Sequence, residues 1–442
     1  MPAGFSCGLF FIPVFPCISN ADGNQQTGGV VWQAAAIKKD KKEDNNKMDG
    51  KKLLSYDDSV LTLETRDELH NYTSFREQND IWVDCFLNEV GVIGIPDEPL
   101  FFPERLKGIR LKRNGYTVEA GDIDPDCPEN MECIKGTGIF LAFPYRDRMR
   151  VVPTGPTAYQ SICRRAGDTG PVMCRWTPSN QKKVLPVKEK AERLNRDLML
   201  YTGMCKILVR DGKARAVLSP EYCPLPAGGL VGILEKWMGE NFPAMELDHA
   251  TATHEFLIAE YYLNDRDTET RLRHRLNMGG ADIVSLRTGL RLVTSDVGLA
   301  NAAVSLFYDA DGARVTIGGH VELEHKGEAS LRAFQEQLGK IPSMFRDCNS
   351  RLEWLQGKAV PDVPAAFQAA RERLGFLPKL AADEVAEGLA NDFPGGGNAM
   401  DVYLAVCEVF KRYMEKTVVT QAKYRQICSQ MEQVISMPFV FE

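Results

Sequence analysis

The spacing of apolar residues changes several times along the chain, and each change predicts a different element. Over residues 53–144 the apolar runs are short and broken by turn formers, with a helix-like pattern over 68–89 and a strand-like one over 138–143. Residues 157–166 follow Pro153 and Pro156 and stop at Gly167, which predicts a short helix, because proline suits a first turn and glycine ends one. Over 186–201, Val187, Ala191, Leu194 and Leu198 recur at three- and four-residue steps, leaving Lys188, Glu189, Glu192, Arg193 and Arg196 mainly on the outer faces of a helix. The period then drops to two. Residues 205–209 and 214–218 flank Arg210, Asp211, Gly212 and Lys213, and Asp-Gly between two β-rich runs predicts a hairpin.

Further on, 226–237 is helical in pattern and 245–263 reads as extended pieces. Residues 282–286, 290–294, 302–308 and 314–324 read as strands, with 309–312 as the turn before the last. After Lys326 the helical period takes over, in 329–356, 364–374, 381–389, 400–416 and 418–435. The expected class is α+β: a mainly antiparallel sheet with packed helices, followed by a helical C-terminal region. The same changes suggest an N-terminal α+β segment over 53–145, an α+β core over 146–325 and a helical region over 326–442. For residues 1–52 two readings stand, a disordered leader or an upstream mis-start with Met48 as the true first residue. The first 18 residues are apolar but have no Lys or Arg ahead of the apolar part, unlike a secretory signal, and 37–52 is polar and of low complexity. Codons open to Lys42, Glu43 and Asp44 include a purine-rich ribosome-binding sequence just upstream of Met48.

Composition adds little until charge is mapped. The 442 residues are 44 % hydrophobic and 26 % charged, an ordinary globular balance. No run approaches the roughly 18 uninterrupted apolar residues of a spanning helix, so a cytoplasmic protein without membrane contact is expected. Twelve cysteines are scattered, none in a C-x-x-C pair, which fits reduced thiols acting as small core hydrophobes. Charge is segregated. Residues 135–215 hold seventeen Lys and Arg against six Asp and Glu, a net +11, so the rest of a chain of net −7 sums to −18. Like charges within a Debye length reinforce one another, and an acidic protein can then present a polyanion-binding face.

Within that window Arg146, Arg148 and Arg150 alternate and are expected on one face of an extended stretch, and Arg164 and Arg165 close the short helix. Arg175, Trp176, Lys182 and Lys183 follow. Arginine gives bidentate phosphate contacts, and aromatic rings give stacking platforms for single strands; Tyr145, Tyr159 and Trp176 are the candidates. The plain alternative is a solvated surface paired with the acidic remainder of the chain.

The run Val-Thr-Ser-Asp-Val-Gly-Leu-Ala-Asn-Ala-Ala-Val-Ser-Leu-Phe over 293–307 resembles a recurring segment of the phage- and plasmid-associated family known as domain of unknown function 932. A second stretch, 210–226, is similar to that family's hairpin and turn, with Ser219 and Tyr222 at matching places; the resemblance spans about 154–354. Asp296 stands where glutamate is commoner. The resemblance implies an intracellular protein of a mobile element and brings no catalytic residues or cofactor. Physically, Val293, Ser295 and Val297 fall on one side of a strand, Gly298 permits a bulge or positive φ, and Asp296 is placed to cap the turn.

Other chemistry is sparse. Asp122, Asp124 and Asp126 alternate as in a calcium loop, but Cys127 and Cys133 stand where Gly and Glu are needed. Of the six histidines, His70, His249, His254, His274, His320 and His325, the pair His249 and His254 would face opposite sides of a single strand over 247–262. His320 aligns with Glu322 and Glu324, as an exposed polar face also would. No G-x-S-x-G, P-loop or H-E-x-x-H occurs, and the glycines before Asn398 read as a joint with Asn398 as a helix N-cap. The leading expectation is a non-catalytic mobile-element accessory protein that binds nucleic acid, single-stranded DNA above all, with no metal. A protein-interaction or inhibitor module using the acidic C-terminal helices and a metal-dependent hydrolase are the alternatives, and a homo-oligomer is compatible with each.

Overall fold

The computed structural model describes residues 60–96, 110–113, 116–119, 123–124, 126–174, 184–278, 283–311, 313–393, 396–416 and 430. Arg175, Trp176, Lys182, Lys183, Asp122, the leader over 1–52 and nearly all of the helix expected over 418–435 lie outside the described residues.

The chain begins with β1 (Leu61–Leu63), α1 (Arg66–Asn79), β2 (Ile81–Phe86), β3 (Gly91–Gly94), β4 (Arg110–Arg113), β5 (Tyr116–Glu119) and α2 (Pro128–Lys135). The hairpin β6 (Ile139–Tyr145) and β7 (Arg148–Pro153) leads into α3 (Pro156–Arg165), α4 (Pro171–Cys174) and α5 (Val187–Leu198). A second hairpin, β8 (Met204–Arg210) and β9 (Lys213–Leu218), is followed by α6 (Ala227–Asn241), β10 (Glu246–Ala252), β11 (Leu257–Tyr262) and α7 (Arg266–Met278). Then come β12 (Leu286–Thr294), β13 (Ala302–Ala310), β14 (Ala313–Leu323), α8 (Leu331–Leu338) and α9 (Ile341–Gly357). Last are β15 (Ala359–Val360), α10 (Val363–Leu374), α11 (Lys379–Asp392), β16 (Gly397–Asn398) and α12 (Ala399–Lys416). The protein is α+β, with helices gathered in the C-terminal region.

Two sheet systems carry the fold. The larger is a six-stranded antiparallel sheet in the order β1-β10-β11-β12-β13-β14. Its inner face, including Leu257, Ala259, Leu290, Leu292, Val304 and Leu306, packs on α1, α6 and the C-terminal helices in one continuous core. The smaller system joins β2-β8-β9 and β3-β6-β7, with α3 and α5, around a second core. Strand β6 is buried on both faces: Ile139, Leu141 and Phe143 enter this core, while Phe140 and Ala142 join a third cluster.

Local chemistry explains most boundaries. Thr65 and Glu68 form a reciprocal capping box that starts α1. Asp211 and Gly212 both have positive φ, 51° and 72°, which the tight β8–β9 turn requires and the Asp-Gly pair predicts. Asn398 caps α12 as expected, its side chain accepting the Asp401 amide at 3.1 Å.

Four expectations are corrected. The helix over 68–89 stops at Asn79, because Ile81–Phe86 instead pairs with β8. The strands over 282–286 and 290–294 become one, β12, whose middle pairs with β13. The helix over 329–356 splits between Leu338 and Ile341, where Pro342 can start a helix but not continue one. The boundary at 145/146 falls inside the β6–β7 hairpin, and β2 and β3 pair with β8 and β6, so the first two expected segments are interleaved.

Candidate nucleic-acid interface

Among the described residues, the positive segment does not form one patch. Lys190, Arg210, Lys213 and Arg215 are buried. Arg210 is held by Asp80 and Asp296, Lys213 by Glu132, and Arg193 pairs with Asp168 at 2.5 Å. Lys190 lies over the Tyr159 ring, 5.8 Å from its centroid. Tyr159 itself is fully buried and its hydroxyl donates to the Met173 carbonyl, so it offers no stacking platform; its helix turns it into the core.

Arg146, Arg148 and Arg150 do not alternate on one strand face either. Arg146 occupies the β6–β7 turn with φ 58°, and only Arg148 and Arg150 share a face of β7. Arg146 and Arg150 nevertheless meet at the Tyr145 ring, 5.3 and 5.2 Å from its centroid. Arg146 and Arg148 are exposed with Asp147 between them.

Arg164 and Arg165 are placed elsewhere. Strand β7 ends beside β9 through a parallel bridge between Thr154 and Ala214, and α3 continues along β9, with Ser161 Oγ accepting the Val217 amide at 2.8 Å. A six-residue strand and a ten-residue helix laid end to end therefore separate the Arg148 tip from Arg164 and Arg165.

At that far end lies a cleft of about 170 Å³. Arg164, Arg165 and Lys326 line it together with Ser219, Tyr222 and the Val297–Gly298–Leu299 turn. Among the described residues, no carboxylate lines it. Thr157 and Ser161 also reach it, but both hydroxyls are engaged, Thr157 with Glu255 and Ser161 with the Ala158 carbonyl. Three cations without a lining carboxylate favour an anion of phosphate size. The α3 C-terminus contributes a partial negative charge, which Arg164 and Arg165 offset.

Buried ionic contacts fix the wall of the cleft. Arg210 grips Asp80 with two nitrogens, Nε to Oδ1 at 2.7 Å and Nη2 to Oδ2 at 2.5 Å, and reaches Asp296 Oδ2 at 2.8 Å. Arg76 donates to the same Asp296 oxygen at 2.7 Å. Burial opposes the charge of Asp296, but the two guanidiniums outweigh it and hold its carboxyl below the usual range. Asp296 thus does not cap the turn as expected; Ser295 does, its hydroxyl accepting the Leu299 amide at 3.4 Å. Gly298 has the expected positive φ, 72°, and a Cβ there would stand 2.9 Å from Leu218. The Tyr222 hydroxyl donates to the Ser295 carbonyl at 3.0 Å, joining the two segments singled out in the sequence. Tyr222 is buried, stacked on His325 at 5.0 Å and Trp82 at 5.8 Å.

The histidines do not converge. His249 is on β10 and His320 on β14, four strands apart in the sheet, and His254 is buried in the β10–β11 turn under Arg210. His320 pairs with Glu322 at 2.9 Å on the surface. One grouping escaped the sequence reading: a register shift in β10 brings Asp248 and His249 together beside Glu260, with ligand atoms within 4.8 Å of one another. The Arg291 guanidinium already pairs with Glu260, so a bound cation would face a fixed positive charge. No local signal in the sequence marks that shift.

The sequence identified Arg164, Arg165, Ser219, Tyr222 and Gly298 separately, and the fold brings them to one cleft. It missed Lys326, whose backbone bridges to Tyr222, because that pairing joins residues about a hundred positions apart. No family model, curated protein or solved structure matches this chain, so the likeness to domain of unknown function 932 rests on residues 210–226 and 293–307 alone.

Proposed function

We propose that this chain is a non-catalytic nucleic-acid-binding protein whose phosphate seat is the cleft of Arg164, Arg165 and Lys326. The supporting observation is that three cations from two distant parts of the chain line one recess with no carboxylate in its walls among the described residues. The exposed Arg146 and Arg148 at the β6–β7 tip are a second contact point for a ligand long enough to reach both. An accessory role in a phage or conjugative element, protecting or presenting DNA, is the setting that the family likeness favours. The C-terminal helices share the core of the six-stranded sheet, which makes a detachable interaction module the weaker reading.

Fluorescence anisotropy of a labelled oligonucleotide at low salt tests the proposal. Binding is expected to weaken at least tenfold in Arg164→Ala/Arg165→Ala. The log–log salt slope is expected to flatten by about 1.4, two lost phosphate contacts at about 0.7 each on a single strand. Absence of binding, or binding indifferent to this pair, sinks the reading.

A further inference from the structure

Large apolar side chains are exposed at the same end of the small sheet as the cleft. Met199, Leu200 and Tyr201 follow α5, Met204 opens β8 and Phe86 ends β2; Leu200 is 79 % exposed, Met199 53 % and Phe86 45 %. Strand register fixes their position. Phe86 pairs with Met204, and Lys206 with Leu218, so this shelf and the Leu218–Ser219 wall of the cleft occupy the same end of the small sheet. Tyr201 approaches from the other side: its hydroxyl lies 2.7 Å from where a Cβ of Gly167 would stand, and Gly167 is two residues past Arg165.

We propose that this shelf is the base-contacting half of the interface and that the ligand is single-stranded nucleic acid. Bases stack on Tyr201 and Phe86 while their phosphates lie over Arg164 and Arg165. The inference rests on the cleft being the phosphate seat and adds the choice of a single strand over a duplex. A duplex hides its base faces within the stack, whereas a single strand exposes alternating π-faces and phosphates, matching rings and guanidiniums presented at one end of the sheet. Charge complementarity disfavours an apolar peptide, which would leave those guanidiniums without counter-charge.

The shelf is tested with two probes, a labelled single-stranded oligonucleotide and inorganic polyphosphate, which has charge but no bases. Tyr201→Ala/Phe86→Ala is expected to weaken oligonucleotide binding by about tenfold or more, since each stacked base contributes about 1–3 kcal/mol. The same variant should leave polyphosphate binding within about twofold, Tyr201→Phe should retain oligonucleotide affinity, and thermal melts should confirm folding. Arg164→Ala/Arg165→Ala is expected to weaken both probes. If only the arginine pair matters, the shelf proposal falls and the cleft stands; if neither variant affects either probe, the cleft falls as well. Equal losses on both probes in the aromatic variant, or a duplex competing as well as a single strand, also overturn the shelf proposal.

Discussion

Asp296 shows how much can depend on one carboxylate. Asp296→Asn leaves Arg76 without its acidic partner and Arg210 with Asp80 alone, and breaking a buried pair in this way is expected to cost about 3–5 kcal/mol in urea unfolding. Gly298→Ala forces a side chain into left-handed backbone against Leu218 and should destabilise by more than about 1 kcal/mol, which a thermal melt would report. His325 introduces a pH dependence. Burial disfavours its charged form, which Asp296 only partly offsets, so its folded pKa is below the ordinary 6.5. Between those two values the unfolded chain binds the extra proton, so stability is full above pH 6.5 and falls as the pH drops through the folded pKa. Melting temperature followed from pH 7.5 to 5 is expected to decline, and to decline less in His325→Phe. Such roles were not legible beforehand: Arg210 meets Asp80 across 130 positions and Asp296 across 86, so what reads as part of a positive run is an internal ion cluster.

At the scale of elements, what depends on neighbouring residues was legible and what depends on distant pairing was not. The β8–β9 hairpin, the α3 start at Pro156 and the α12 cap at Asn398 each follow from adjacent residues. Strand β2 lies inside a helix-like pattern because its identity comes from β8, and Arg146 makes the turn although its alternation with Arg148 and Arg150 points to a strand. The α1 start can be probed directly. Thr65→Ala removes half of the capping box and should lower stability by about 1 kcal/mol in a denaturant titration.

For the whole molecule, a net charge counted along the sequence overstates the field outside it. Four cations of the positive window are internal, and the exposed ones among the described residues are spread over the end of α2, the β6–β7 tip, the α3 end and the outer face of α5. The cluster of Arg76, Asp80, Arg210 and Asp296 ties three parts of the structure: Arg76 in α1, Arg210 at the end of β8 in the small sheet, and Asp296 just past β12 in the large one. Pulling the two sheet systems apart would break these ion pairs and expose to water the apolar contacts of Leu208, Ala216 and Leu218 with Tyr222 and Val297. Neither is then expected to survive expression as a separate fragment, and the intact chain should lose both in a single denaturation step, with the signals of Trp82 and Trp237 changing together.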